Sequence, residues 1–211
     1  MADVNKEEFE KFISEHKGKR KFKQSVELAI NFKAIDFSKQ DNRLNLDVNL
    51  PNGKGKTKKI AVFASDKELI GKAEKNDITV FHADELDAIG KDNKRLLSLL
   101  AYDLYAQPSL MPNIAKSMGQ FLGPRNNMPK PLIGAVNFED IISQSSKKIT
   151  LKNRGKYLPT IHCTVGTEDM EIDKLYDNVN EVVSSIVKKV GNNKIRSIYL
   201  KLSMSEPMKI M

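Results

Sequence analysis

Tryptophan is absent, and only one cysteine, Cys163, stands among 211 residues. One thiol excludes an internal disulfide and a thiolate metal cluster, and it suits a reducing compartment. Histidine is nearly as scarce. His16, His82 and His162 form no i, i+4 pair of the kind that grips a metal. His162 and Cys163 are neighbours on a strand-like run, so their side chains face opposite ways and cannot work as a dyad. No G-x-G-x-x-G and no G-x-S-x-G occurs. No apolar run approaches the ~20 residues that span a bilayer, and the first eight residues are too polar for a secretory signal. The expectation is a soluble cytoplasmic protein with no cofactor, no metal and no membrane partner.

What is present is positive charge. Lys and Arg number 35 against 27 Asp and Glu, a net charge of +8 with an isoelectric point near 9.4. Such an excess favours a polyanionic partner. Hydrophobic residues make up 40%, enough for a packed core, and the length suits one large domain or two small ones.

Phe9, Phe12 and Ile13 fall at helical spacing behind Asn5 or Asp3, which predicts a helix to about His16. Val26, Leu28, Ile30 and Phe32 alternate with polar or small residues. Leu44, Leu46, Val48 and Leu50 do so again after a turn near 38–42. Period two predicts two strands with one buried face each, paired antiparallel. From Lys58 the pattern changes. Residues 60–64 and 78–81 are short apolar runs, as expected of strands covered on both faces, and 101–106 is a third strand. Helices are expected from Ser65 or Asp66 to Glu74, after His82, over 94–100, from Pro108 to about Phe121, and over 136–143. Strands alternating with helices imply a parallel α/β unit. Alternation then returns over 149–152 and 159–165. An amphipathic helix follows over 169–190, with Leu175, Val179, Val182, Val183, Ile186 and Val190 on its apolar face, and a last strand over 195–202.

The two ends therefore read alike and the middle differs. The expected α/β fold has two domains. One is a split α+β sandwich domain with an antiparallel sheet from both chain ends, 1–56 plus 150–211. The other is an inserted three-layer parallel α/β (Rossmann-like) domain, 57–149. Crossings fall near 53–57 and 146–148. The ends carry 22 basic and 16 acidic residues, the insert 13 and 11, so a polyanion site is expected on the split domain.

At the first crossing stands Leu50-Pro51-Asn52-Gly53-Lys54-Gly55-Lys56-Thr57. Gly55-Lys56-Thr57 matches the tail of a phosphate loop. That motif needs a glycine where Leu50 stands, and a helix where 58–64 reads as a strand. Gly53 and Gly55 are candidate hinge residues, and Lys54 a phosphate contact. Four polar, flexible stretches are candidate binding loops: 19–25 with Lys21, Phe22 and Ser25; 52–56; 152–156 with Lys152; and Ser203-Met204-Ser205. Lysines neutralise phosphates, serines contact phosphate and ribose, and an exposed Phe or Met packs on a sugar or base.

Several motifs occur in a fixed order: Lys21-Phe22-Lys23-Gln24-Ser25-Val26-Glu27, the loop from Leu50 to Lys56, and Leu122-Gly123-Pro124-Arg125 with Met128-Pro129-Lys130-Pro131. Arg196-Ser197-Ile198-Tyr199 and Ser203-Met204 complete the series. Across nearly the whole chain they resemble the ribosomal large-subunit protein L-one family. Gly166-Thr167-Glu168-Asp169-Met170 is similar to its archaeal branch. The resemblance implies two domains, the first split by the second, and no enzymatic activity. It implies a place on the lateral stalk, where the first domain binds large-subunit ribosomal RNA and the protein assists release of exit-site tRNA. It also implies repression of translation through a mimic of that site on its own mRNA, and a monomer off the ribosome. By motif, the RNA surface falls on Phe22, Ser25, Glu27, Lys54, His162, Ser197, Ser203 and Met204. Two departures stand out. Ser203-Met204-Ser205 replaces the family's usual Thr-Met-Gly, and Asn126 follows Arg125 where glycine is usual. Ser205 lacks glycine's freedom at positive φ, which lowers affinity if RNA needs that backbone shape. Rival readings are a nucleotide-using α/β enzyme with its site in 57–149, and a basic scaffold that binds only proteins.

Overall fold

The computed structural model describes residues 5–56, 58–125, 127–134, 137–153 and 158–211. Asp3 as a cap, Thr57 at the end of the glycine-lysine loop, Asn126, Val136 and residues 154–156 of the fourth polar stretch lie outside the described residues. In chain order the elements are α1 (Lys6–His16), β1 (Ser25–Phe32), β2 (Asn45–Asn49), β3 (Lys59–Ala64), α2 (Lys67–Lys75), β4 (Thr79–His82), α3 (Leu86–Lys91), α4 (Asn93–Leu99) and β5 (Tyr102–Ala106). They continue with α5 (Met111–Leu122), β6 (Lys130–Pro131), α6 (Phe138–Lys147), β7 (Lys148–Lys152), β8 (Thr160–Thr167), α7 (Ile172–Val190), β9 (Ile195–Leu202) and β10 (Met208–Lys209). The chain divides into a terminal unit, Met1–Lys56 with Ser146–Met211, and an inserted unit, Thr57–Ser145.

In the terminal unit, alternation does what period two requires. Val26, Leu28, Ile30 and Phe32 of β1 are buried, and the residues between them are half-buried on the other face. β1 lies at the centre of a four-stranded sheet ordered β10-β9-β1-β8, antiparallel to β8 and β9. It does not pair with β2, as nearness in sequence predicted. β2 pairs with β7 in a separate two-stranded ribbon, Asn45 opposite Lys152 and Asn49 opposite Lys148. The reason is burial. The strands from the far end of the chain match the apolar face of β1 along its full length, while β2 adds Leu46 and Val48 to the core from its own ribbon. Helix α1 is capped by Asn5, whose Oδ1 accepts from Glu7 N at 3.1 Å, and it buries Phe9, Phe12 and Ile13. Helix α7 buries the stripe from Leu175 to Ile186. It begins at Ile172 rather than 169 because Glu168 is engaged elsewhere: its N–H donates to Gln24 O at 3.0 Å, and Met170 N closes a turn on Thr167 O.

The inserted unit has the parallel order β4-β3-β5-β6. Central strand β3 is covered on both faces, as its unbroken apolar run foretold. One face packs on Leu86, Ile89, Leu96, Leu99, Ile114 and Met118 of α3, α4 and α5. The other packs on α2 and α6 through Ala73, Phe138, Leu69 and Ile141. Two details differ from expectation. β4 is only half-buried because it forms a sheet edge, and the proline-bounded Lys130–Pro131 adds a fourth strand beside β5. Helix α6 extends to Lys147 and runs straight into β7, so the return crossing falls at a helix end between Ser145 and Ser146.

Candidate nucleic-acid interface

Strand pairing and hydrogen bonds gather three of the four predicted stretches, 19–25, 52–56 and 203–205, at one end of the terminal unit's sheet. Ser25 opens β1 opposite Thr167 of β8. Its N–H donates to Ser203 Oγ at 3.1 Å, and Ser203 N donates back to Ser25 O at 3.1 Å. Residues 178 positions apart are thus locked side by side. Beneath them lies a buried pair that the sequence reading did not single out. Gln24 is 2% exposed and Glu168 4%. The Glu168 carboxylate accepts from Gln24 N (3.1 Å), Gln24 Nε2 (3.1 Å) and Gly18 N (3.2 Å). Gln24 Nε2 also donates to His16 O, and its Oε1 accepts from Met204 N at 3.2 Å. A buried carboxylate is tolerable only when its lone pairs are filled, and here three donors fill them. This pair ties together the end of α1, the 17–24 loop, the 167–170 turn and the 203–205 turn.

Two large apolar side chains stand out of this braced frame into solvent: Phe22, 52% exposed, and Met204, 58% exposed. Lys21 beside Phe22 is exposed. Lys23 is committed to Asp169 at 2.5 Å, and that hydrogen bond and charge hold its ammonium above the ordinary lysine value. Ser205 makes its turn without a positive φ, since among the described residues only Ala34 and Asp77 are non-glycines there. Ser205 Oγ accepts from Leu202 N at 2.8 Å, which closes the turn at the position where the resembled family usually has glycine.

The glycine-lysine loop abuts the same end. Gly53 and Gly55 both have φ of +70°, the region glycine favours. A Cβ on Gly55 would collide with Thr167 Oγ1 and come within 2.8 Å of Met170 Sδ. Buried Asn178 of α7 pins the loop. Its Nδ2 donates to Gly53 O and to Val165 O, both at 2.8 Å, and its Oδ1 accepts from Asn52 N at 3.1 Å. Lys54 N donates to Ser146 O at 3.0 Å, so Lys54 is presented from a fixed backbone. The strand after the loop is β3, not a helix, which agrees with excluding a phosphate loop.

The polar face of the sheet continues in rows. Glu27 lies between Thr164 and Lys201, Ala29 between His162 and Tyr199, and Asn31 between Thr160 and Ser197. His162 is exposed two residues along β8 from the Glu27 row. Ser197 is 7% exposed and its Oγ accepts from Asn31 Nδ2 at 3.1 Å, so it acts as a sheet tie. Lys152 is exposed at the end of the β2–β7 ribbon, from which the chain goes on to enter β8 at Thr160, and the structure does not bring it to the Ser25 end. Cys163 packs against the core on the opposite face from His162, and burial pushes its thiol up to about 12.

In the inserted unit, the carboxyl ends of β3 and β5 form the switch point where open α/β sheets bind ligands. Here Ser65 N and Oγ both donate to Gln107 Oε1, at 3.1 and 3.0 Å, and Gln107 N donates to Phe63 O, bridging that crevice. Among the described residues no cluster of metal-ligating side chains is assembled, and no helix is long and apolar enough to cross a membrane.

The sequence profile of the ribosomal protein L1p/L10e family matches residues 13–206, a span that includes all of these loops. The chain belongs to the ribosomal protein L1p/L10e family. Its curated relatives agree. It is similar to the large ribosomal subunit protein uL1 of Thermoplasma acidophilum, 41% identical over 94% of this chain and 92% of the relative. It is also similar to the proteins of that name from Thermococcus kodakarensis (38%, over 90% and 89%) and Methanothermobacter thermautotrophicus (37%, over 90% and 91%). Membership in the L1p/L10e family accounts for the two-part architecture and for a ribosomal rather than an enzymatic family context. The signal that could have found the Gln24–Glu168 pair was present. Each residue sits inside a motif quoted for the family resemblance, but nothing local links positions 144 apart.

Proposed function

We propose that this protein is a structural component of the large ribosomal subunit that binds the lateral-stalk region of large-subunit RNA through the terminal unit. Phe22 and Met204 pack on sugars or bases. Ser25, Ser203 and Ser205 meet ribose and phosphate, Glu27 accepts from a 2′-hydroxyl or base edge, and Lys21 and Lys54 neutralise phosphates. His162 extends the contact along the sheet. The observation that carries this reading is the pair of exposed apolar side chains held on turns that the buried Gln24–Glu168 pair makes rigid. Rigid presentation lowers the ordering cost of binding. The same surface, occupied by a similar fold in the protein's own mRNA, would repress its translation. On the ribosome the protein assists release of exit-site tRNA, with Gly53 and Gly55 as the hinge between units. It acts in the cytoplasm, monomeric when off the ribosome, without a cofactor.

The test is binding of the purified protein to a stalk-region RNA fragment and to a random duplex of equal length across a salt series. The expected result is a marked preference for the stalk fragment, with affinity falling steeply as salt rises. Phe22→Ala removes most of the preference while the protein stays folded. Equal affinity for both RNAs would overturn the proposal.

A further inference from the structure

The opposite end of the same sheet carries a second concentration of charge, made by residues outside the predicted site, with buried Ser197 next to Arg196. Lys33 follows β1, and its N–H donates to Lys194 O at 2.9 Å. That bond sets the exit of β1 against the entry of β9, where Arg196 is exposed. Lys188 and Lys189 occupy the last turn of α7, just before the short Asn192–Lys194 turn that leads into β9. All five side chains are exposed, and none takes part in an ion pair among the described residues. The carboxylates nearest in sequence form no ion pair with them: Asp36 Oδ1 accepts from Ser38 N, and Glu181 Oε1 accepts from Ser185 Oγ. Unpaired like charges held together repel one another. They persist at little cost only in water, or beside an anion.

Between this pole and the Ser25 end runs the polar face of β1, eight residues whose seven steps of ~3.4 Å span about 24 Å. Its rows, Thr164–Glu27–Lys201, His162–Ala29–Tyr199 and Thr160–Asn31–Ser197, are polar apart from Ala29 and the Tyr199 ring, and they carry a single carboxylate. We infer that the Lys33–Lys194–Arg196 pole, with Lys188 and Lys189, is a second RNA contact. It takes backbone phosphates of the same RNA without reading its sequence. This rests on the reading of the terminal unit as an RNA-binding unit. The Ser25 end discriminates between RNAs, and the far pole adds charge attraction alone.

Salt dependence separates the two. Lys33→Gln with Arg196→Gln is compared with wild type, with Phe22→Ala, and with a control that removes two exposed lysines elsewhere, Lys11→Gln with Lys67→Gln. Each is titrated with the stalk fragment and with the random duplex. In the pole variant the slope of log affinity on log salt falls by about two. Both RNAs weaken by the same factor, and their affinity ratio is unchanged. The control changes the slope by less than half as much. An unchanged slope, or a control with the same effect, would overturn the inference, as would loss of the affinity ratio in the pole variant. If wild type showed no preference between the RNAs, the proposed function would fall, while the slope change would still report on the pole.

Discussion

The terminal unit holds 24 Lys and Arg against 16 Asp and Glu, and the inserted unit holds 11 of each. The whole excess of +8 therefore belongs to one unit, and the other is neutral. The boundary expected at 149/150 assigned +2 to the insert. Moving it to 145/146 transfers Lys147 and Lys148 and leaves no excess there. The interiors differ as sharply. The inserted unit fills both faces of its sheet with apolar side chains. The terminal unit buries one face and keeps the other polar, and it spends buried Gln24, Glu168 and Asn178 on holding loops. A sheet covered on both sides has little room to display anything. A half-covered sheet has a surface to offer, and buried polar groups fix the shape of its edges.

The sharpest way to break this contrast is to damage the neutral unit and look for an effect on binding. Phe63 is fully buried and stacked on Phe81 at 5.2 Å. Phe63→Ala is expected to destabilise the inserted unit by about 3–5 kcal/mol, read by amide hydrogen exchange in β3 and β5. RNA affinity should stay within about twofold. A large loss would mean that the insert shares the site.

Asn178→Leu makes the converse test. It leaves Gly53 O, Val165 O and Asn52 N without their buried partner, a cost of about 3 kcal/mol. Exchange protection should fall in α7 and β8 and hold in β3 and β5. Next in size is Met204→Ala, expected to weaken stalk-fragment binding about tenfold with an unchanged melting temperature, since the side chain is exposed.

Cys163 sharpens the comparison in alkali. Its folded thiol lies at about 12 against an ordinary 9.0, so it stays protonated where the unfolded thiol ionises. Stability is fully present below pH 9 and declines between pH 9 and 12, by about 1 kcal/mol at pH 10. Cys163→Ala should flatten that part of the wild-type profile. The smallest effect is expected of Lys23→Gln. Its pairing with Asp169 lies in solvent, so thermal unfolding should not move.

The candidate site was half legible in the sequence. Phe22, Ser25, Lys54, Ser203 and Met204 were marked by residue type in flexible stretches, and the three stretches that hold them meet at one end of the sheet. Lys152 was marked by the same logic and lies elsewhere, because a basic loop carries no information about which strand end it joins. Ser197 was marked by motif and proved to be a buried tie. Asn178 sat one residue before Val179 in a recognised helix and went unremarked, since a polar residue on an apolar stripe looks local until its partners are known.

By itself the sequence determined the repeating patterns: which residues share a face, where helices start, where the character of the chain changes, and where positive charge collects. These are set by neighbours within a few positions, through period two, period 3.6 and capping. Only the tertiary structure decided that β1 pairs with β8 and β9 rather than β2, that Gln24 meets Glu168, and that Asn178 holds Gly53. Alternation says that a strand has a buried face and is silent on its partner. That choice is made by total burial and by the filling of buried hydrogen bonds, and both are properties of the closed fold.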